Sequence, residues 1–289
     1  VEDITAMDIR MYLARRSKED IKTTTLAHDT DVLRGFFNFL EDEEYINNHY
    51  IVMCTKKGII KKTILEAYSR PRANGINAIN INEGDELIEA KLTNGHKELI
   101  LAKKSGYAIR FNESTVRTVG RNSIGVKGVT MSTEDDEVIG MISLDPDSEN
   151  SILVVSENGY GKRSYFNDPE TGEPIYRVTN RGGKGVKTMN VTEKTGNLIS
   201  IKNVTDEDDL MIITKNGITI RLPIDQIRVM GRAAQGVIMI KLGKNEEIAA
   251  VAKVPKEEEV VDVLEDGENE DVETGGENDE NNGTNNEEE

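Results

Sequence analysis

Short apolar runs separated by polar turns recur along residues 49–255 of this 289-residue chain. Leu210-Met211-Ile212-Ile213 is apolar throughout, as a strand covered on both faces would be. Asn216-Gly217 can supply the positive φ angles of a tight hairpin turn. The return segment, Ile218-Thr219-Ile220-Arg221-Leu222, alternates until Pro223 stops it. A third apolar run, Val237 to Leu242, and a fourth, Ile248-Ala249-Ala250-Val251, follow. Four short strands in such a length form the unit of a propeller-like array.

The unit occurs four times. Its first strands are Ile51 to Cys54, Leu99 to Ala102, Ile152 to Val155 and Leu210 to Ile213, with turn glycines at Gly58, Gly106, Gly159 and Gly217. Each copy has a later Gly followed by Val or Ile (Gly75-Ile76, Gly125-Val126, Gly185-Val186, Gly236-Val237). In the first three copies, Leu87-Ile88, Val138-Ile139 and Leu198-Ile199 begin the fourth segment. The predicted fold is mainly β: a partial β-pinwheel or propeller of four four-stranded blades, at about 49–97, 98–149, 150–208 and 209–255. Residues 1–48 predict a small helical segment instead. One helix starts near Thr5 and a second follows Thr25, with Leu33, Phe36, Phe37 and Leu40 on one face. Residues 256–289 are Glu, Asp, Asn and Gly with few apolar positions, and read as a disordered acidic tail.

Charge changes the picture once it is divided. The whole chain carries 36 basic and 53 acidic residues, a net of −17. The tail holds 16 of the acids against one Lys, and residues 1–48 hold 11 against six basic residues. That leaves 29 basic and 26 acidic residues in 49–255. The repeat body is slightly basic, and its cations are phased with the strands. Lys62, Arg110, Arg163 and Arg221 form one row; Arg72, Arg121, Arg181 and Arg232 form a second. Ordinary solvated charges guarding hairpin edges would also give such positions. A repeated row of cations suits the regularly spaced phosphates of a duplex better. With Lys127, Lys184 and Lys187 added, these eleven residues are the candidate DNA contacts. The Gly-rich string Asn180-Arg181-Gly182-Gly183-Lys184-Gly185 could bring backbone N–H groups to phosphate, or simply join two blades. It is not a nucleotide-phosphate loop of the Walker A kind, which needs Gly where Val178 stands.

Catalytic and metal chemistry find little support. His28, His49 and His96 show no ligand spacing, and no Ser or Cys sits in a nucleophile-elbow pattern. Asp206-Glu207-Asp208-Asp209 reads as a solvated turn between repeats. Cys54, the single cysteine, reads as a buried structural thiol in a reducing, cytoplasmic setting. No stretch approaches the roughly 18 apolar residues of a membrane span, and no signal peptide opens the chain.

Two resemblances sharpen these expectations. Lys56-Lys57-Gly58-Ile59-Ile60-Lys61-Lys62-Thr63, Glu83-Gly84-Asp85-Glu86-Leu87-Ile88, Lys104-Ser105-Gly106 with Ile109-Arg110-Phe111, and Val229-Met230-Gly231-Arg232-Ala233-Ala234-Gln235-Gly236-Val237-Ile238 closely resemble the C-terminal DNA-wrapping domain of bacterial DNA gyrase A. The resemblance implies the last four blades of a six-bladed β-pinwheel whose rim bends duplex DNA. It also implies as partners the N-terminal region of gyrase A and the gyrase B protein. Mg²⁺ and ATP would serve the whole complex, with no cofactor in this chain. The catalytic Tyr region is absent, so the chain should be inactive alone. The family's signature heptapeptide, Gln-Arg-Arg-Gly-Gly-Lys-Gly, belongs to its first blade, and Asn180 to Gly185 is only similar to it. The related C-terminal domain of topoisomerase IV and a propeller-like protein-interaction platform remain open as alternatives. Ile4-Thr5-Ala6-Met7-Asp8-Ile9-Arg10, Tyr12-Leu13 and Leu33-Arg34-Gly35-Phe36-Phe37-Asn38-Phe39-Leu40 resemble part of the helical core-binding domain of phage-type tyrosine recombinases.

Overall fold

A computed structural model describes residues 48–71, 74–243 and 246–256. The helices expected within 1–48, the tail from residue 257 and Arg72 lie outside the described residues. Fifteen strands follow in chain order among the described residues. The first repeat supplies β1 (Tyr50–Thr55), β2 (Ile59–Ile64) and β3 (Leu87–Thr93). The second supplies β4 (Glu98–Lys103), β5 (Tyr107–Asn112), β6 (Val126–Lys127) and β7 (Val138–Leu144). The third supplies β8 (Ser151–Ser156), β9 (Tyr160–Tyr165), β10 (Val186–Lys187) and β11 (Leu198–Val204). The fourth supplies β12 (Asp208–Thr214), β13 (Thr219–Pro223), β14 (Val237–Ile238) and β15 (Ile248–Pro255).

The sheets run β3-β1-β2-β6, β10-β5-β4-β7, β11-β8-β9-β14 and β13-β12-β15, all paired antiparallel. The third apolar run therefore does not join its own blade, as the predicted blade boundaries supposed. It crosses to the preceding one: β6 pairs with β2, β10 with β5 and β14 with β9. One consequence is a fourth blade of three strands among the described residues, where four were expected.

Glycine makes the crossing possible. Gly125, Gly185 and Gly236 precede these straps with φ of 112°, 85° and 88°. A Cβ there would stand 2.5, 2.5 and 2.7 Å from the carbonyl oxygens of Ile60, Ala108 and Gly161. No side chain fits between strap and receiving strand at that distance. The strap then donates two N–H groups to the hairpin glycine of the receiving blade. Gly128 and Val129 bond the Gly58 carbonyl, Thr188 and Met189 that of Gly106, and Met239 and Ile240 that of Gly159.

The apolar first strands of the two middle blades feed two cores each. In β4, Leu99 and Leu101 face the first blade while Ile100 and Ala102 face the third. In β8, Ile152 and Val154 face the second blade, and Leu153 and Val155 the fourth. Alternate side chains thus enter neighbouring interblade cores, which is why these strands are apolar throughout instead of alternating. Burying one such Leu or Ile is worth about 1.5–3 kcal/mol, so blades stabilise one another in sequence. Cys54 is a buried member of the first core, and burial pushes its thiol well above the ordinary range.

Candidate nucleic-acid interface

Three of the four cations of the first row do not face solvent. Lys62, Arg110 and Arg163 are only 5%, 3% and 8% exposed. The reason is topological. At these positions the second strand bridges to the next repeat, Lys62 to Thr118, Arg110 to Val178 and Arg163 to Val229, so the side chain is enclosed by that repeat. Each cation meets a carboxylate: Lys62 with Glu113 at 3.7 Å, Arg110 with Glu98 at 2.5 Å, and Arg163 with Asp206. Arg221 is half-buried against Asp209, its Nε donating at 2.6 Å, and its Nη2 reaches the Pro255 carbonyl. Lys62, Arg110 and Arg163 are corrected from candidate phosphate contacts to interior groups, and Arg221 to a half-buried ion pair. Arg110 Nη1 also donates to the Tyr176 and Phe166 carbonyls of the next repeat, and Arg163 Nε to that of Ile227. They are staples between blades.

The acidic run is corrected with them. Asp206 and Glu207 are exposed, but Asp208 and Asp209 are buried at the start of β12. Asp208 pairs with Lys253 at 3.1 Å, while Asp206 and Asp209 hold Arg163 and Arg221.

The described members of the second row, Arg121, Arg181 and Arg232, are half-buried and clamp straps. Arg121 Nη1 donates to the Asn77 carbonyl, Arg181 Nη1 to that of Lys127 and Arg232 Nη1 to that of Lys187. These acceptors are equivalent residues, two beyond the strap glycine. Arg181 Nε also reaches the Thr115 carbonyl at 3.0 Å. Beneath the row, the buried Lys61 donates to the carbonyls of Ala78 and Arg121, and Lys162 to those of Gly231 and Arg232. Burial, with the nearby Arg232 charge second, brings Lys162 down to about 8.

What remains available lies on the rim. Lys127 and Lys184 are exposed, and Lys187 is half-buried with a 3.3 Å bond to Asn190 Oδ1. Lys184 Nζ stands 5.8 Å from the Tyr107 ring centroid. In the Gly-rich loop, Gly182 N–H is spent on the Gly128 carbonyl and the Gly183 carbonyl accepts from Thr130. That backbone joins blades, while Asn180, Gly183 and Lys184 line a cavity of about 290 Å³ with Arg177.

Arg177 belongs to a third row, outside the two that the repeats suggested. Arg117, Arg177 and Arg228 each precede a second-row Arg by four residues. All three are exposed, and no side-chain partner is found for them among the described residues. The spacing was visible in Arg117/Arg121, Arg177/Arg181 and Arg228/Arg232.

Strand-sharing blades with an arginine-bearing rim define a class, the β-propeller of repeated blades whose surface lies along its edge. The DNA gyrase C-terminal domain, beta-propeller, model matches residues 49–94, 97–145, 150–164, 176–205 and 208–255, and the chain belongs to this family. The DNA gyrase A protein of Staphylococcus epidermidis is 45% identical over 220 residues, covering 76% of this chain and 23% of that protein. The chain therefore spans about a quarter of the length of the curated relatives it matches. Among solved structures, the C-terminal domain of DNA topoisomerase IV superposes with a TM-score of 0.65 at 26% identity, over 72% of this chain and 62% of that one. A DNA gyrase A C-terminal domain gives 0.62 at 24% identity, over 72% and 66%, a likeness of fold. Residues 1–44 match the Phage integrase, N-terminal SAM-like domain, model.

Proposed function

We propose that this chain binds and wraps duplex DNA as part of a gyrase A protein, presenting bent duplex for ATP-dependent negative supercoiling by the whole type IIA topoisomerase. The observation that carries this is the row Arg117, Arg177 and Arg228: exposed, unspent and at equivalent positions on successive blades. Phosphates spaced along a duplex meet such a row without sequence being read. Bending a 20–30 bp site costs about 1–6 kcal/mol, so the contacts must be distributed over blades. Relatives at 45% identity favour the gyrase reading over topoisomerase IV. The N-terminal region of gyrase A and the gyrase B protein would be its partners, and Mg²⁺ and ATP would act in that complex. The setting would be the cytoplasm, where the DNA is; among the described residues no helix is long and apolar enough to cross a membrane.

The test is duplex binding by the full chain against salt concentration. Wild type should lose affinity with a slope near −0.9 per phosphate neutralised. The triple variant R117E/R177E/R228E should weaken binding to all sequences alike and flatten that slope. An unchanged slope, or loss confined to one sequence, would remove the rim from the interface. A plasmid relaxed by a topoisomerase in the presence of bound chain should then show a shifted linking number.

A further inference from the structure

The two ends of the blade array are complementary and unmatched. At one end lies a receiving hairpin that takes no strap among the described residues. Gly217, Ile218 and Thr219 are exposed, with Ile218 at 52%. Their equivalents Gly58 and Ile60, Gly106 and Ala108, and Gly159 and Gly161 are all buried beneath straps. A Cβ on Gly217 would meet no described atom within 4 Å, whereas one on Gly159 would stand 2.3 Å from the Ile240 carbonyl oxygen. Met211 and Ile213, on the β12 face turned away from the third blade, are only half-buried. The edge of β13 is the one receiving edge that takes no strap among the described residues.

At the other end lies a strap that meets no receiving hairpin among the described residues. Gly75 has the same left-handed conformation as the other strap glycines, φ 81°, yet nothing described stands within 4 Å of where its Cβ would be. Three equivalents of Ile79, namely Val129, Met189 and Ile240, are 1%, 0% and 8% exposed in the preceding blade. Ile79 itself is half-buried, and Ile81 two residues on is 40% exposed. Among the described residues, Ala78 and Ile79 make none of the paired N–H bonds to a hairpin glycine that the other straps make.

We infer that the strap at 75–81 of one copy seats on β13 of a second copy, joining chains head to tail. Three internal examples specify the geometry. Strap residues pair with the receiving strand as Val126 with Ile60, Val186 with Ala108 and Val237 with Gly161. The same register sets Ile76 opposite Thr219 and Asn77 opposite Ile218 across the two copies. Ala78 and Ile79 then donate to the Gly217 carbonyl. Strand addition supplies the backbone bonds, and Ile79 and Ile81 supply the apolar contact. Within one chain these ends are not seated on each other, since Ile81 and Ile218 are both exposed. The interface is heterologous, so each added copy presents a fresh edge. The net charge of −17 opposes the association, which therefore strengthens as salt screens it.

Sedimentation velocity of the full chain, over a range of concentrations in about 0.15 M salt with a Debye length near 8 Å, tests this. Wild type should form dimers and longer species as concentration rises. Ile81→Asp disables the strap and Ile218→Asp the edge; both positions are exposed, so each chain keeps its own core. Each variant alone should associate at least about tenfold more weakly, because the seat would enclose an unpaired carboxylate. Mixed together, the two should give a one-to-one dimer and nothing longer, since each still carries the half that the other has lost. A wild type that stays monomeric, or association unchanged in both variants, overturns the proposal. A mixture that forms no dimer overturns it equally.

Discussion

Arg110 shows why a cation in the right register need not meet solvent. It is 3% exposed, bonded to Glu98 on the adjacent strand and to three acceptors of the next repeat, Phe166, Asn167 and Tyr176. Arg110→Met would leave Glu98 buried without its counter-charge, at a cost of about 3–5 kcal/mol. Denaturant unfolding should show that loss, while the salt slope of DNA binding by the folded protein stays unchanged. Lys162 makes a different prediction. Its folded value of about 8 lies below the ordinary 10.5, so between these values the unfolded chain binds more protons. Stability should therefore rise with pH across that window. Wild type should gain stability from pH 8 to 10 relative to Lys162→Met, read from urea midpoints; a parallel pH profile would show that the ammonium is not desolvated. The sequence identified Arg110 as one of a periodic row, and its burial followed from neighbours more than 50 residues away.

The element that decides the architecture is the two-residue strap. Its glycine is legible as a recurring Gly-Val or Gly-Ile, but its destination is not, because pairing with the preceding blade is a non-local choice. Gly185→Ala would combine a left-handed φ, costing about 1–3 kcal/mol, with a Cβ 2.5 Å from the Ala108 carbonyl oxygen. Gly172 offers the control, since its φ is also positive but no described atom lies near its Cβ site. Gly185→Ala should lower the urea midpoint clearly more than Gly172→Ala. Equal losses would mean that the close approach of strap and strand carries no stability. Hairpins, by contrast, were readable locally: each turn glycine adopts positive φ, and the flanking strands pair as the apolar runs predicted.

At the scale of the whole molecule, neighbouring blades share cores and straps, so a lesion at one interface is felt by its neighbours first. The charge division matters at this scale too. Residues 257–289 hold 16 acidic residues and no basic one, tethered to a body that is slightly basic. A polyanion tethered in this way is expected to compete with DNA for cations at high effective concentration. Deleting 257–289 should tighten duplex binding at moderate salt, measured by anisotropy, and the gain should vanish as salt rises. Affinity unchanged by the deletion would leave the tail as solubilising charge alone.

By itself the sequence determined the repeat, the hairpins, the two-faced apolar strands and the places where cations recur, because each rests on contacts between near neighbours in the chain. The tertiary structure alone decided which blade receives each strap and which side of each strand is enclosed. Those choices set the fate of every cation. The same spacing that phases Arg110 and Arg117 along the chain buries one between blades and leaves the other on the rim. Periodicity fixes position along a strand, whereas exposure depends on what a distant segment lays over it.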